Sequence, residues 1–296
     1  MRLKRTKALV GAVAMGLALA ACGGGGGSSA GEMDVEVVED PNFPAGSQMA
    51  KFAKSGKITI GTKYDQPGTG FLEPGADTPS GFDVEMGNYI AGQMGIAPEN
   101  ITWKETVSDN REPFLQNGTV DLVLATYSID AERRRLVGQA GPYYITGQQL
   151  LVREEDKNKI TGPDDLQGVK VCSVTGSTSL ETVQAEYGAN PVPFDTYSAC
   201  VRQLQAGTLD AVTTDGAILL GYEAANPEEL QVVGPEFSTE RYGVGYFPGE
   251  DTEMCEFLND TITQSYKDGY WKEAFEATLG ESGVETPKPP QPDPCK

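Results

Sequence analysis

The sequence predicts an α/β protein of two similar lobes, each a mixed, mostly parallel sheet flanked by helices, joined by two extended crossings. Three observations carry this. From Lys57 onward, short β-branched runs alternate with helical patterns, the rhythm of parallel sheets. One turn-and-strand unit occurs twice: L115-Q-N-G-T-V-D-L-V-L-A-T126 and L204-Q-A-G-T-L-D-A-V-T-T-D215 agree at six of twelve positions. Two β-rich segments lie on either side of the second copy, Pro142 to Val152 and Ser238 to Tyr246.

Taken in order, the first element is a targeting segment over 1–21. Basic residues Arg2, Lys4, Arg5 and Lys7 precede an apolar run, Ala8 to Ala20, too short for a convincing membrane span. It ends in L19-A-A-C22, which resembles a bacterial lipobox and makes Cys22 the expected lipid-bearing residue. Residues 22–50 then read as anchor and flexible linker, since glycines 23–27 give way to an acidic, proline-containing stretch. The runs 57–62, 101–107 and 120–125 read as strands of the first lobe, and 169–174, 209–214 and 231–234 as strands of the second. In the repeat, each copy reads as a helix end, a glycine turn and a buried strand, so Thr126 and Asp215 become equivalent C-terminal strand ends, where open α/β sheets hold ligands. The expected organisation is lobe 1 over 51–142 and 243–296, lobe 2 over 148–238, and hinges near 143–147 and 239–242. The tail, Pro287 to Pro294, is expected to be extended and pinned by Cys295.

Composition narrows the function. The formal net charge is −20, and loss of the leader leaves 19 basic against 43 acidic residues, or −24. Nucleic acid and anionic membrane surfaces would repel such a chain. No histidine is present, which removes the usual general base and the commonest zinc ligand. No metal and no cofactor is expected. Beyond Cys22 four cysteines remain, and in an exported protein an even number implies disulfides. Three pairings are open; Cys172–Cys200 and Cys255–Cys295 are favoured because each joins chain neighbours within one expected lobe.

The segment from Gly81 to Met94, GFDVEMGNYIAGQM, places Phe82, Met86, Ile90 and Met94 on one helical stripe, with Gly81 allowing a tight turn before it. It closely resembles the signature of the polar amino-acid class, family 3, of bacterial extracellular solute-binding proteins. That resemblance implies the type II periplasmic-binding-protein fold, in which two lobes close over a ligand. It also implies a monomer, lipid-anchored at the outer face of the cytoplasmic membrane, that delivers an amino acid to an ABC permease.

By the same resemblance Arg133, in the segment Ala125 to Arg133, grips the ligand's α-carboxylate, with Thr126 and Ser128 as further donors. A planar guanidinium suits this task because it can hold a carboxylate through two parallel hydrogen bonds. Arg134 and Arg135 are expected to be solvated charges. Asp215, beside Thr214, takes the ammonium role, with helix capping as its competing one. Thr175, Ser177 and Thr178 supply hydroxyls from the second lobe, at a turn that lacks the lysine of a phosphate-binding loop. Arg111 falls where glutamate- and aspartate-binding members meet the distal carboxylate, and Lys63 where they carry a base. Gln66 and Ser108 stand where other members place aromatic rings. Counting Lys63, Arg111 and Arg133 against Asp215 leaves a site near +2, which favours L-glutamate, with aspartate, glutamine or asparagine as alternatives. A dehydratase-like enzyme on this fold lacks an identifiable catalytic pair here. A sensory module without transport is the other alternative, and no kinase or membrane segment follows the lobes before Lys296.

Overall fold

Residues 33–249 and 251–295 are described by a computed structural model of the chain. The targeting segment, Cys22 and the glycine run lie outside the described residues. Residues 33–47, expected as slack, lie along the first lobe instead. Val35 is buried, and the Val38 N–H donates to the Gly92 carbonyl at 3.0 Å. Apolar side chains at Met33, Val35 and Phe43 gain more by covering that core than the chain loses by being ordered.

Helix α1 (Gln48–Ser55) opens on the Ser47 hydroxyl and closes on left-handed Gly56. Strand β1 (Ile58–Thr62) is followed by a small hairpin of β2 (Asp65–Gln66) and β3 (Gly70–Phe71), then α2 (Phe82–Gln93), β4 (Ile101–Glu105), α3 (Arg111–Gln116) and β5 (Leu122–Val123). The chain then runs through β6 (Gly138–Thr146) and β7 (Gln148–Arg153) into β8 (Lys170–Val174), α4 (Thr178–Glu186), β9 (Asn190–Phe194), α5 (Tyr197–Gln205), β10 (Ala211–Asp215), α6 (Gly216–Ala225) and β11 (Leu230–Val233). It returns by β12 (Glu240–Tyr246) to α7 (Thr252–Asp268) and α8 (Tyr270–Ala277).

Two five-stranded sheets result, ordered β4-β1-β5-β12-β6 and β11-β7-β10-β8-β9. In each, strands followed by helices pair in parallel, while the strands adjoining the crossings, β6, β7 and β12, pair antiparallel. The expected strands all form, although β5 contracts to two residues. The first crossing falls at Gly147, between β6 and β7. The second occupies residues 234–239, ahead of β12. Tyr143 and Tyr144 stay in the first lobe because their rings pack on Phe82 of α2. That aromatic core continues to Trp271 and Phe275 of α8, and the Trp271 indole donates to the Tyr143 carbonyl at 2.8 Å. Phe82, Met86, Ile90 and Met94 are all buried within it.

The repeat holds down to its hydrogen bonds. Gly118 and Gly207 each turn the chain at φ +72°. Asp121 then accepts from the Thr59 N–H of β1 at 2.8 Å, and Asp210 from the Lys170 N–H of β8 at 3.0 Å. Both disulfides form as favoured, Cys172–Cys200 and Cys255–Cys295.

Candidate functional site

The cleft is built where the repeated strands end. Thr126 sits at φ +44°, a left-handed conformation that a β-branched residue resists. It is held there by Asp83 in the first turn of α2, whose Oδ2 accepts from the Thr126 N–H at 2.7 Å while Oδ1 accepts from the Tyr143 hydroxyl at 2.7 Å. Burial pushes the Asp83 carboxyl up to about 6, against the hydrogen bonds from Tyr143 and Thr126. The bend turns the Thr126 hydroxyl toward Gln66 Oε1, 3.1 Å away, and starts the segment that carries Ser128 and Arg133.

Arg133 opens a single 3-10 turn, Arg133–Arg135, rather than an α-helix. Asp130 fixes that turn by accepting from the Glu132 and Arg133 N–H groups at 2.7 and 2.8 Å. The Arg133 guanidinium donates to the Ser128 carbonyl at 2.8 Å and reaches the Gly176 carbonyl of the second lobe at 3.0 Å. Arg111, at the start of α3, converges on the same Gly176 carbonyl at 3.0 Å and also donates to the carbonyls of Ser108, Ala125 and Thr126. Both guanidinium carbons lie within reach of the Tyr127 ring, at 4.5 and 5.2 Å from its centroid. Burial first, and then the neighbouring Arg133, lower the Arg111 pKa to about 10. Arg133 Nε is itself paired, with Asp130 at 3.1 Å and Glu112 at 3.4 Å, while the ends of both guanidinium groups meet at the Gly176 carbonyl, an arrangement able to grip an anion.

Across the cleft, Asp215 occupies the N-cap position of α6 but makes no capping hydrogen bond. Its Oδ2 accepts instead from the Tyr242 hydroxyl at 2.6 Å. Burial and then the Glu240 carboxylate push its pKa up to about 7, against Tyr242 and the two arginines. Ser177 caps α4, accepting from the Leu180 N–H at 3.1 Å. Thr178 donates to Glu240 Oε2 at 3.0 Å, and Ser128 donates to the same oxygen from the first lobe at 2.5 Å.

Ser108, Arg111, Thr126, Ser128 and Arg133 therefore meet Ser177, Thr178, Thr214 and Asp215 around one space. That space is about 10 Å³, the scale of a single water, so the lobes are closed on each other. Lys63, Gln66 and Ala125 stand a layer behind: Lys63 donates to the Ser108 hydroxyl at 2.8 Å, and burial first, then Arg111, lower its pKa to about 7. Thr175 does not join them. It is exposed, with its hydroxyl toward the Phe194 carbonyl, because left-handed Gly176 turns the chain only after it.

Two expectations are corrected. Arg134 is no free surface charge, since it pairs with Asp293 at 2.8 Å; Arg135 does remain at the surface, beside Glu132. The count of +2 leaves out Asp83 and Glu240, buried at the cleft, and Glu112 and Asp130, which pair with Arg133, so that with Asp215 five carboxylates stand against Lys63, Arg111 and Arg133. Net charge by itself thus selects no ligand. Glu240 went unread because it lies in a crossing strand beside Thr239 and Arg241, where alternation with Tyr242 resembles an ordinary half-exposed edge. Asp83 lay in plain view within the signature, and its buried place on an otherwise apolar stripe was the available signal. Tyr197 and Ile218 also border the space and had no sequence signal, while Ser179 follows Thr178 in the same hydroxyl-rich turn.

Two lobes, two antiparallel crossings and a polar cleft lined from both sides define a binding protein of the type II periplasmic kind. Residues 58–281 match the model of the bacterial extracellular solute-binding proteins, family 3, and the chain belongs to that family. It is 38% identical to the glutamate-binding protein GluB of Corynebacterium efficiens over 91% of this chain and 88% of that protein. It is 31% identical to the ABC transporter glutamine-binding protein GlnH of Bacillus subtilis, over 90% of this chain and 94% of that one. Among solved structures, an ancestral arginine-binding protein bound to glutamine superposes with a TM-score of 0.70 at 32% identity, covering 76% of this chain and 98% of that one. No described helix is long and apolar enough to cross a membrane.

Proposed function

We propose that the protein captures an acidic amino acid, L-glutamate before aspartate, and delivers it to an ABC permease. The observation that carries this is the convergence of Arg111 and Arg133 on one point of the cleft, with Asp215 uncapped on the facing wall. Arg133 takes the α-carboxylate, Arg111 the distal carboxylate, and Asp215 with Thr214 the ammonium group. Thr126, Ser128, Ser177 and Thr178 complete the cage, and Lys63 supports Arg111 through Ser108. The similarity to a protein named for glutamate binding supports the same ligand. Glutamine is the second reading, favoured by the carboxylates of Asp83, Asp215 and Glu240 and by Glu112 and Asp130 on Arg133, which together outnumber the three cations.

Titration calorimetry with glutamate and glutamine on Arg111→Gln separates the two. Glutamate should weaken by about 2 kcal/mol or more while glutamine loses little, since the substitution removes charge but keeps a donor. Equal losses for both ligands would make Arg111 a structural residue and remove the main support for glutamate. The protein acts as a binder and not an enzyme, and no turnover is expected with prephenate-like acids. The anchor is Cys22: wild type should partition into detergent, and a Cys22→Ser variant partitioning equally well would end the lipoprotein reading.

A further inference from the structure

We propose that Asp293, on the C-terminal tail, is a positioning residue for ligand binding: it clamps the Arg133 turn against the returning strand β12. The inference rests on the ligand role proposed for Arg133, and its first readout does not. Asp293 Oδ2 accepts from Arg134 at 2.8 Å, and Oδ1 accepts from Arg241 at 2.5 Å. Arg134 is the chain neighbour of Arg133. Arg241 stands between Glu240, which links Ser128 to Thr178, and Tyr242, which holds Asp215. One carboxylate thus ties together the two segments that present both ends of the candidate cage. The segments touch elsewhere through the Ile129 N–H and the Arg241 carbonyl at 2.8 Å, so the clamp closes a ring around that contact.

The tail is held so that this carboxylate has one place to be. The Asp293 N–H donates to the Gly141 carbonyl of β6 at 2.7 Å. Asn259 of α7 donates to the Asp293 carbonyl at 2.7 Å and accepts from the Gly141 N–H at 2.8 Å. Two residues later Cys295 is bonded to Cys255 of the same helix. None of residues 284–295 is fully buried, so the tail adds little to the core. Burial works against the Asp293 charge, but the hydrogen bonds from Arg241 and then Arg134 outweigh it and keep the carboxyl below the usual range. A charge kept on at neutral pH, preplaced by a disulfide, suits a clamp better than a filler.

The test uses the full chain and Asp293→Asn, which keeps the shape and removes the charge. Amide hydrogen exchange of the ligand-free protein should quicken by about 2- to 5-fold over 128–136 and 239–243 and stay unchanged in the second lobe's sheet. Affinity for L-glutamate should fall by a similar factor, and Asp293→Glu should restore most of it. Arg134→Gln should give the same loss, and the double variant no more than either single one. Freeing the tail with Cys255→Ser and Cys295→Ser should loosen the same two segments. Unchanged exchange, a quickening spread evenly over the first lobe, or additive losses would each overturn the clamp. If wild type binds no amino acid, the ligand reading fails, and the exchange pattern still decides the clamp.

Discussion

Asp215 is a carboxylate whose charge is opposed both by burial and by Glu240. With its folded pKa raised to about 7 from an ordinary 3.8, the folded state holds the proton more tightly than the unfolded chain between those values. The stability this confers is complete below pH 4 and is lost as pH rises through 7. Ligand-free Asp215→Asn should therefore be more stable than wild type at pH 8, by about 1–3 kcal/mol, with the gap closing toward pH 4. Urea melts across that range measure it, and a variant less stable at pH 8 would mean that Tyr242 and the arginines already compensate the charge. The same residue should lose ligand affinity on substitution, which is the pattern of a site held ready at the expense of stability. Capping is not its task, since the helix it precedes begins without its side chain.

At the scale of elements, the repeated unit works because a glycine can turn through φ +72° at the end of a helix and deliver the chain into a parallel strand. A Cβ at Gly118 or Gly207 would meet nothing within 4 Å, so Gly→Ala there probes backbone strain alone. Each substitution should cost about 1–2 kcal/mol in a chemical melt, and the two costs should match. Costs that differ widely would mean the two turns are not mechanically equivalent. The repeat was legible in sequence because its residues act locally. β9 was not, because N190-P-V-P-F194 carries two prolines, and only its place at a sheet edge makes those missing donors harmless. The family resemblance would have Arg133 open a helix, yet Asp130 captures the first N–H groups and the segment stops after one 3-10 turn.

Across the whole molecule, closure brings the lobes into close approach on both sides of the cleft. Gly176 presses on the 108–109 backbone so tightly that a Cβ would lie 2.8 Å from Asp109 N and Cα, atoms that cannot swing aside. The other side of the cleft closes through Asp65, which accepts from the Ser198 N–H at 3.1 Å, and through Pro67 against Gly221. Gly176→Ala should hold the lobes apart, raising the Kd for glutamate by at least about 10-fold, or about 1.4 kcal/mol. Solution scattering would then show ligand no longer contracting the variant, whereas wild-type affinity and contraction would mean the loops relax around the methyl group. The two disulfides lie one in each lobe, so they stiffen the bodies and leave the crossings at Gly147 and 234–239 free to bend. Their closed loops, with separations of 28 and 40 residues, are of a size that contributes about 3–4 kcal/mol each.

The sequence by itself determined the strand and helix rhythm and the internal repeat, because periodicity and glycine turns are local properties; it favoured the two cysteine pairs among three open pairings, and nine of the residues that line the cleft were implied by the family resemblance. It also carried the family resemblance through the Gly81 to Met94 segment. Tertiary structure alone decided what each polar group faces. It placed Glu240 between Ser128 and Thr178, set Asp83 under Thr126, turned Thr175 outward and brought Asp293 to Arg134 from the far end of the chain. Such pairings join residues far apart in sequence, and their energies depend on burial and on the third charge nearby. No pattern along one chain encodes those quantities until the lobes have closed.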